Sequence, residues 1–337
     1  MIANAQDWAY GGGARRPRKP LLMGVYLVLL LSFSVYVLLD AFVIVRSYAT
    51  AVTADLAASA TATKDAAAGD TVVSDALDAL ETSQGAMGDG SQAEAAAMSV
   101  AAQQATTSLT EYHYADTSVY VVDIYASDVT QLLAAFAQDT YGKNVTTTTS
   151  SMASQNNASV AINGDYYGAR SAGYVVRNGV LYRDTMASAD QEDLVIYADG
   201  SFQIVCEGEV SAQELVDAGA WQVFSFGPGL VEDGTVLVDD NDEVGHAMSS
   251  NPRTALGKVS DGHYVMVVTD GRTDESEGLS LLELATFMCD ELGVECAYNL
   301  DGGGSSTLWY QGEVINNPTT NGRSIKERSV SDIVYLS

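Results

Sequence analysis

The chain has 337 residues, 47% of them hydrophobic, and 44 acidic against 16 basic residues give a formal charge of −28 at neutral pH. That length allows a sizeable core, and that apolar content excludes a wholly disordered chain. A body this acidic repels nucleic acid, whose phosphates need basic partners, so no nucleic-acid partner is expected.

Arg15, Arg16, Arg18 and Lys19 crowd together just before an apolar run from Leu21 to Val45, whose one charge is Asp40. Leu21 to Leu39 alone is long enough to cross a bilayer as a helix. The basic flank then places residues 1–20 in the cytoplasm, makes 21–45 a transmembrane signal anchor, and puts the rest outside a single-pass membrane protein. The rival is a cleaved signal peptide, because Ala49-Thr50-Ala51 resembles a small-residue cleavage site; the run is long for that role. Residues 46–110 are rich in Ala, Ser, Thr, Asp and Gly and nearly free of aromatics. They bury too little to offset chain entropy and read as a linker, although "DALDALE" and "AEAAAMSVAAQQA" can be helical.

From residue 111 to 337 the pattern predicts an α+β domain, a β-rich mixed sheet with a few packed helices. "SVYVVDIYAS" reads as a strand and "VTQLLAAFAQDTYG" as an amphipathic helix ending at Gly142. "YVVRNGVLYR" is a hairpin turning at Asn178-Gly179, and "IYADGSFQIV", "LVEDGTVLV" and "VSDGHYVMVV" turn at Asp-Gly. "LSLLELATFMCDELG" is a helix with a Ser280–Glu283 capping box, a stop at Gly293 and an apolar stripe of Leu281, Leu284, Ala285, Met288 and Leu292. "VECAYNL" is a buried strand and "TLWYQGEVIN" a hairpin. Cys289 and Cys296 can bridge in an exported protein, leaving Cys206 free; the alternative is three buried thiols.

"NLDGGGSS" therefore sets Asp301 at a strand's C-terminal end, followed by glycines that admit a ligand or a neighbouring backbone. It lacks the lysine of a phosphate-binding loop and the following helix of a dinucleotide fold. Asp-Gly alone is a turn signal, but a plain turn does not require three glycines followed by Ser305, Ser306 and Thr307. "VAINGDYYGAR" brings Asn163 and Asp165 together with Tyr166 and Tyr167, the acid, amide and aromatic groups of a sugar site; a polar turn is the plainer reading. Only ten basic residues occur from Glu111 onward, so Arg253 in "NPRTALGK" and Arg272 in "VVTDGR" are candidates for an anionic substrate group, or for neutralising a nearby Asp. Arg328 and Asp332, four apart in "ERSVSDIVYL", suit structural pairing. His113, His246 and His263 show no ligand spacing, and neither a metal nor another cofactor is predicted.

"AINGDYYG", "FSFGPGLVEDG", "NPRTALG", "DGR", "GLSLLELATFM", "AYNLDGGGSST" and "ERSVSDIVYL", in that order over residues 111–337, resemble the phosphodiester glycosidase family. That family is of the N-acetylglucosamine-1-phosphodiester alpha-N-acetylglucosaminidase (uncovering-enzyme) type, with bacterial relatives in exopolysaccharide biosynthesis. The resemblance implies an α+β glycosidase that cleaves a sugar from a sugar-1-phosphodiester, with a phosphate-linked glycan of the cell envelope or exopolysaccharide as substrate. It makes Asp301 and Asp165 the catalytic acids. Arg253 and Arg272 would hold the phosphodiester. Asn163, Asn299, Gly302, Gly303, Ser305, Ser306 and Thr307 would complete the substrate site. The competing reading is a non-catalytic, membrane-anchored module that binds phosphate-linked envelope glycans.

Overall fold

The computed structural model describes residues 19–42, 46–47, 105–242 and 250–337. The basic tail to residue 18, nearly all of the expected linker with both helical segments, and His246 lie outside the described residues. The chain divides into two units, Met1–Ile44 and Val45–Ser337. The first holds a 24-residue helix, Lys19–Phe42. Its side chains are described for residues 26–37 and 39, all of them exposed. Among the described residues no helix is long and apolar enough to cross a membrane, so the transmembrane expectation rests on the sequence.

The second unit is β-rich with few helices, as its alternating apolar pattern and Asx-Gly turns require. One sheet has seven strands, ordered Thr235–Val236, Gly229–Glu232, Cys296–Asn299, Thr254–Ser260, His263–Thr269, Thr117–Tyr125 and Thr106–Tyr114. A five-stranded sheet runs Glu313–Val314, Leu308–Tyr310, Val160–Asn163, Asp332–Leu336 and Leu133–Phe136, and a second one comprises Phe202–Cys206, Glu192–Tyr197, Ala220–Phe224, Val175–Arg177 and Val180–Arg183. Every strand pairing among the described residues is antiparallel. The strand Thr106–Tyr114 begins ahead of residue 111, so the boundary expected at 110/111 falls inside an element of the domain.

Alternation along the strands decides which face each residue serves. Tyr120, Val122 and Ile124 join Ile162, Leu194, Phe224, Leu256, Tyr298 and Val334 in a core to which all three sheets contribute. Val119 and Val121 point the other way and pack with Val265, Val267 and Ala297 against the helix Leu281–Asp290. That helix starts where expected: Ser280 Oγ accepts the Glu283 N–H at 3.1 Å, and Glu283 Oε2 accepts the Ser280 N–H at 2.8 Å.

One local expectation is corrected. Residues 129–142 are not a helix; Leu133–Phe136 is a strand paired with the C-terminal strand Asp332–Leu336. The Asn178 side chain takes the place of helical hydrogen bonds there, accepting from Ala134 N and donating to Ala134 O, both at 2.8 Å. All three cysteines are free thiols, and burial pushes Cys296 up to about 12.

Candidate functional site

The site forms where strand ends from two sheets meet. Asn299 closes the strand Cys296–Asn299, and its Nδ2 donates to Gly227 O at 2.8 Å. The next residues leave the sheet, and Asp301 N donates to Gly164 O (3.3 Å), just beyond the strand Val160–Asn163. Asn163, fully buried, ties the two ends together: its Nδ2 donates to Asp301 O at 2.6 Å, while its Oδ1 accepts from Thr254 Oγ1 and Thr307 N. The glycines that follow are needed for close approach. Gly303 has φ +62°, and a Cβ there would stand 2.8 Å from Arg272 Nη2; one on Gly304 would stand 2.3 Å from Thr320 Oγ1.

Asp301 faces a cleft of about 190 Å³ lined by Phe226, Asn251, Arg253, Arg272, Asn299, Leu300, Gly302, Gly303 and Arg328. It is the one carboxylate in that lining among the described residues, and it shares the cleft with three arginines, of which Arg328 pairs with it. Arg328 Nη2 donates to Asp301 Oδ2 at 2.9 Å and Arg328 Nε to Ser305 Oγ at 2.8 Å. Arg272 is held by Asn251 Oδ1 (Nη2 at 2.7 Å, Nε at 3.1 Å) and by Thr320 O, and Arg253 Nε donates to Leu279 O at 2.8 Å. Burial raises the Asp301 carboxyl above its ordinary value, against the opposing pull of Arg328 and a hydrogen bond with Ser305. Burial lowers Arg272, and the charges of Arg328 and Arg253 lower it further. Repulsion of this kind between cations is relieved by a bound anion.

Arg253, Arg272, Asn299, Asp301, Gly302 and Gly303 are thus brought together, with Ser305 behind Arg328. Asp165 does not line the cleft. It is fully buried, with Arg177 Nη2 2.8 Å from its Oδ1, and it accepts N–H groups from Tyr167 and Ser225. Arg177 also pairs with Asp332 at 2.8 Å, so the expected Arg328–Asp332 pairing is replaced by two separate ones. Burial would lower the Arg177 guanidinium, but Asp165 and Asp332 outweigh it and hold the charge in place. Gly164 makes room for this triad, because a Cβ there would stand 2.2 Å from Asp332 Oδ1. Asn163, Ser306 and Thr307 are likewise buried outside the lining, and Asn163 serves the loop's backbone. Arg328 went unrecognised as a site residue; its signal was the scarcity of basic residues. Phe226, Asn251 and Leu300 also line the cleft; their signal was their place in the motifs "FSFGPGLVEDG", "NPRTALG" and "AYNLDGGGSST". Among the described residues no group of three metal-ligating side chains comes together.

A family model described as phosphodiester glycosidase matches residues 156–337. The SPbeta prophage-derived uncharacterized protein YomE of Bacillus subtilis is 34% identical over 203 residues, covering 58% of this chain and 30% of YomE. Mouse N-acetylglucosamine-1-phosphodiester alpha-N-acetylglucosaminidase is 31% identical over 112 residues, 32% of this chain and 21% of the mouse protein. The matched stretches therefore span less than a third of these relatives. The catalytic domain of the zebrafish enzyme of that name, in a structure auto-inhibited by its pro-peptide, shares the fold at a TM-score of 0.54 and 19% identity, covering 69% of this chain and 82% of that one.

Proposed function

The chain belongs to the phosphodiester glycosidase family, and from that premise we propose that it hydrolyses the glycosidic bond of a sugar-1-phosphodiester, in a phosphate-linked glycan of the cell envelope or exopolysaccharide. The observation that carries this reading is a buried carboxylate, Asp301, the one acid among the described residues of a cleft that also holds Arg253, Arg272 and Arg328. The arginines bind the phosphodiester and stabilise the charge that develops as it departs. Asp301, kept ionisable by Arg328, takes a proton from water as the water oxygen attacks the anomeric carbon. The C–O bond electrons pass to the phosphate oxygen, leaving a free sugar and a phosphomonoester. Because a phosphate leaves readily, a second carboxylate to protonate it is not required, which fits the absence of Asp165 from the lining.

Incubating the protein with N-acetylglucosamine-1-phosphate esters and assaying reducing sugar tests the reading. Release should fall about 100- to 10 000-fold in Asp301→Asn. The lone carboxylate also suits the second reading, a phosphate-binding module; tight binding of the same esters with no release by the native protein would select it. We further propose that residues 21–45 anchor the protein with its N-terminus in the cytoplasm and the enzymatic domain outside. Protease added to intact cells should then remove the domain, and its protection would refute the orientation.

A further inference from the structure

A second cavity, of about 280 Å³, is lined by Tyr141, Arg170, Ser171, Tyr182 and Arg183. Tyr141 and Tyr182 stand with ring centroids 5.1 Å apart, and Tyr141 stacks on buried Tyr167 at 5.3 Å. Arg183 is held in place by backbone carbonyls: Nε donates to Gly173 O, and Nη1 to Tyr167 O at 3.1 Å and Arg170 O at 3.0 Å. Arg170 Nη1 donates to Ser225 O at 3.1 Å, and its guanidinium lies 5.1 Å from the centroid of the Phe226 ring. Among the described residues neither arginine forms an ion pair with a carboxylate. In a chain of charge −28, acids to neutralise them are abundant, yet among the described residues none lines this cavity.

The two cavities are linked. Phe226, on which Arg170 rests, is itself part of the Asp301 cleft, and the Arg170 charge is felt at the Asp301 carboxyl. Of the ten basic residues beyond Glu111, five line these two cavities. Guanidinium groups left without carboxylates beside tyrosine faces suit a sugar ring that carries an anion: C–H faces lie on the rings and the anion meets the fork of an arginine. Resting on the hydrolase reading above, the geometry points to a substrate whose leaving group is itself an anionic sugar. Its ring and second anionic group, phosphate or carboxylate, occupy the Tyr141–Tyr182–Arg170–Arg183 cavity while the scissile phosphate sits among Arg253, Arg272 and Arg328. The preferred substrate is therefore a polyanionic glycan, not a diester of a neutral sugar.

Calorimetric titration of the full chain carrying Asp301→Asn, which separates binding from turnover, tests this. The ligands are three N-acetylglucosamine-1-phosphate diesters of hexoses: a neutral one, one bearing a second phosphate and one bearing a carboxylate. At least one anionic diester should bind tenfold or more tightly than the neutral one, and which of them does so identifies the second group. Adding Tyr182→Ala or Arg170→Gln should bring that ratio to within twofold, with thermal melts confirming that each variant is folded. Equal affinities for all three ligands, or a ratio that survives both variants, would overturn the inference. Reducing-sugar release by the protein with Asp301 intact is scored separately. Release without an affinity gap leaves the hydrolase standing and removes the second subsite. A gap without release does the reverse.

Discussion

Arg328 Nη2 sits 2.9 Å from Asp301 Oδ2, and the same side chain braces Ser305 through its Nε at 2.8 Å. One arginine thereby fixes the position of the acid and of the loop that carries it, and it offsets the burial that pushes the Asp301 carboxyl up. Replacing it with glutamine keeps a hydrogen-bond donor but removes the charge. With Asp301 acting as a base, activity falls as the pH drops through its pKa. Loss of the arginine raises that pKa further, so in Arg328→Gln the acidic limb of the pH–rate profile should move to higher pH. An unmoved limb would mean that Asp301 is not the titrating group.

Asp165 and Asp301 both sit in motifs of the family, yet only Asp301 lines the cleft, and this divides their expected phenotypes. Asp165, Arg177 and Asp332 form a buried triad joined by two 2.8 Å contacts. Removing the cation strands two carboxylates, so Arg177→Met should lose about 3–5 kcal/mol in chemical denaturation. Asp165→Asn keeps a neutral Arg177–Asp332 pair and should cost turnover less than about tenfold, far short of the loss expected on removing a catalytic base. A loss as large as that of Asp301→Asn would restore Asp165 to the chemistry.

Local devices were legible from residue types because their partners are adjacent in sequence. The Asn178-Gly179 and Asp-Gly hairpins and the Ser280–Glu283 box are of this kind. The run at 129–142 was not legible, because what makes Leu133–Phe136 a strand is Asp332–Leu336, nearly two hundred residues on, together with the Asn178 amide. Alanine's helix preference is worth a few tenths of a kcal/mol per residue and yields to such partners. The site divides the same way. Asp301, Arg253 and Arg272 stand beside glycine or proline turns, a signal local to the sequence, and they share one cleft. The four-residue spacing of Arg328 and Asp332 suggests contact, whereas the Arg328 side chain reaches back 27 positions to Asp301.

Gly303 and Arg272 form a second testable relationship. The glycine's φ of +62° and the 2.8 Å from its notional Cβ to Arg272 Nη2 mean that a methyl group must displace the guanidinium. Gly303→Ala and Arg272→Gln should therefore share a phenotype. Each forfeits a charge-assisted contact with the phosphodiester, raising KM and the inhibition constant of inorganic phosphate by roughly 10- to 100-fold. Inhibition by phosphate unchanged in both variants would remove Arg272 from the anion site.

Asp193 offers a prediction about stability instead of catalysis. It is fully buried, neither of its oxygens makes a regular hydrogen bond, and burial, followed by the charge of neighbouring Glu207, pushes its carboxyl from 3.8 up to about 9. The folded protein thus keeps a proton that the unfolded chain gives up. This contribution to stability is fully present below pH 3.8 and is lost progressively as the pH rises toward about 9, with a limiting slope of about 1.4 kcal/mol per pH unit. Asparagine imitates the protonated acid and cannot ionise in either state. Between pH 5 and pH 8.5 the native protein should lose thermal stability relative to Asp193→Asn, so that the variant gains on it at every step. Parallel Tm curves across that range would show that Asp193 is ionised in the fold.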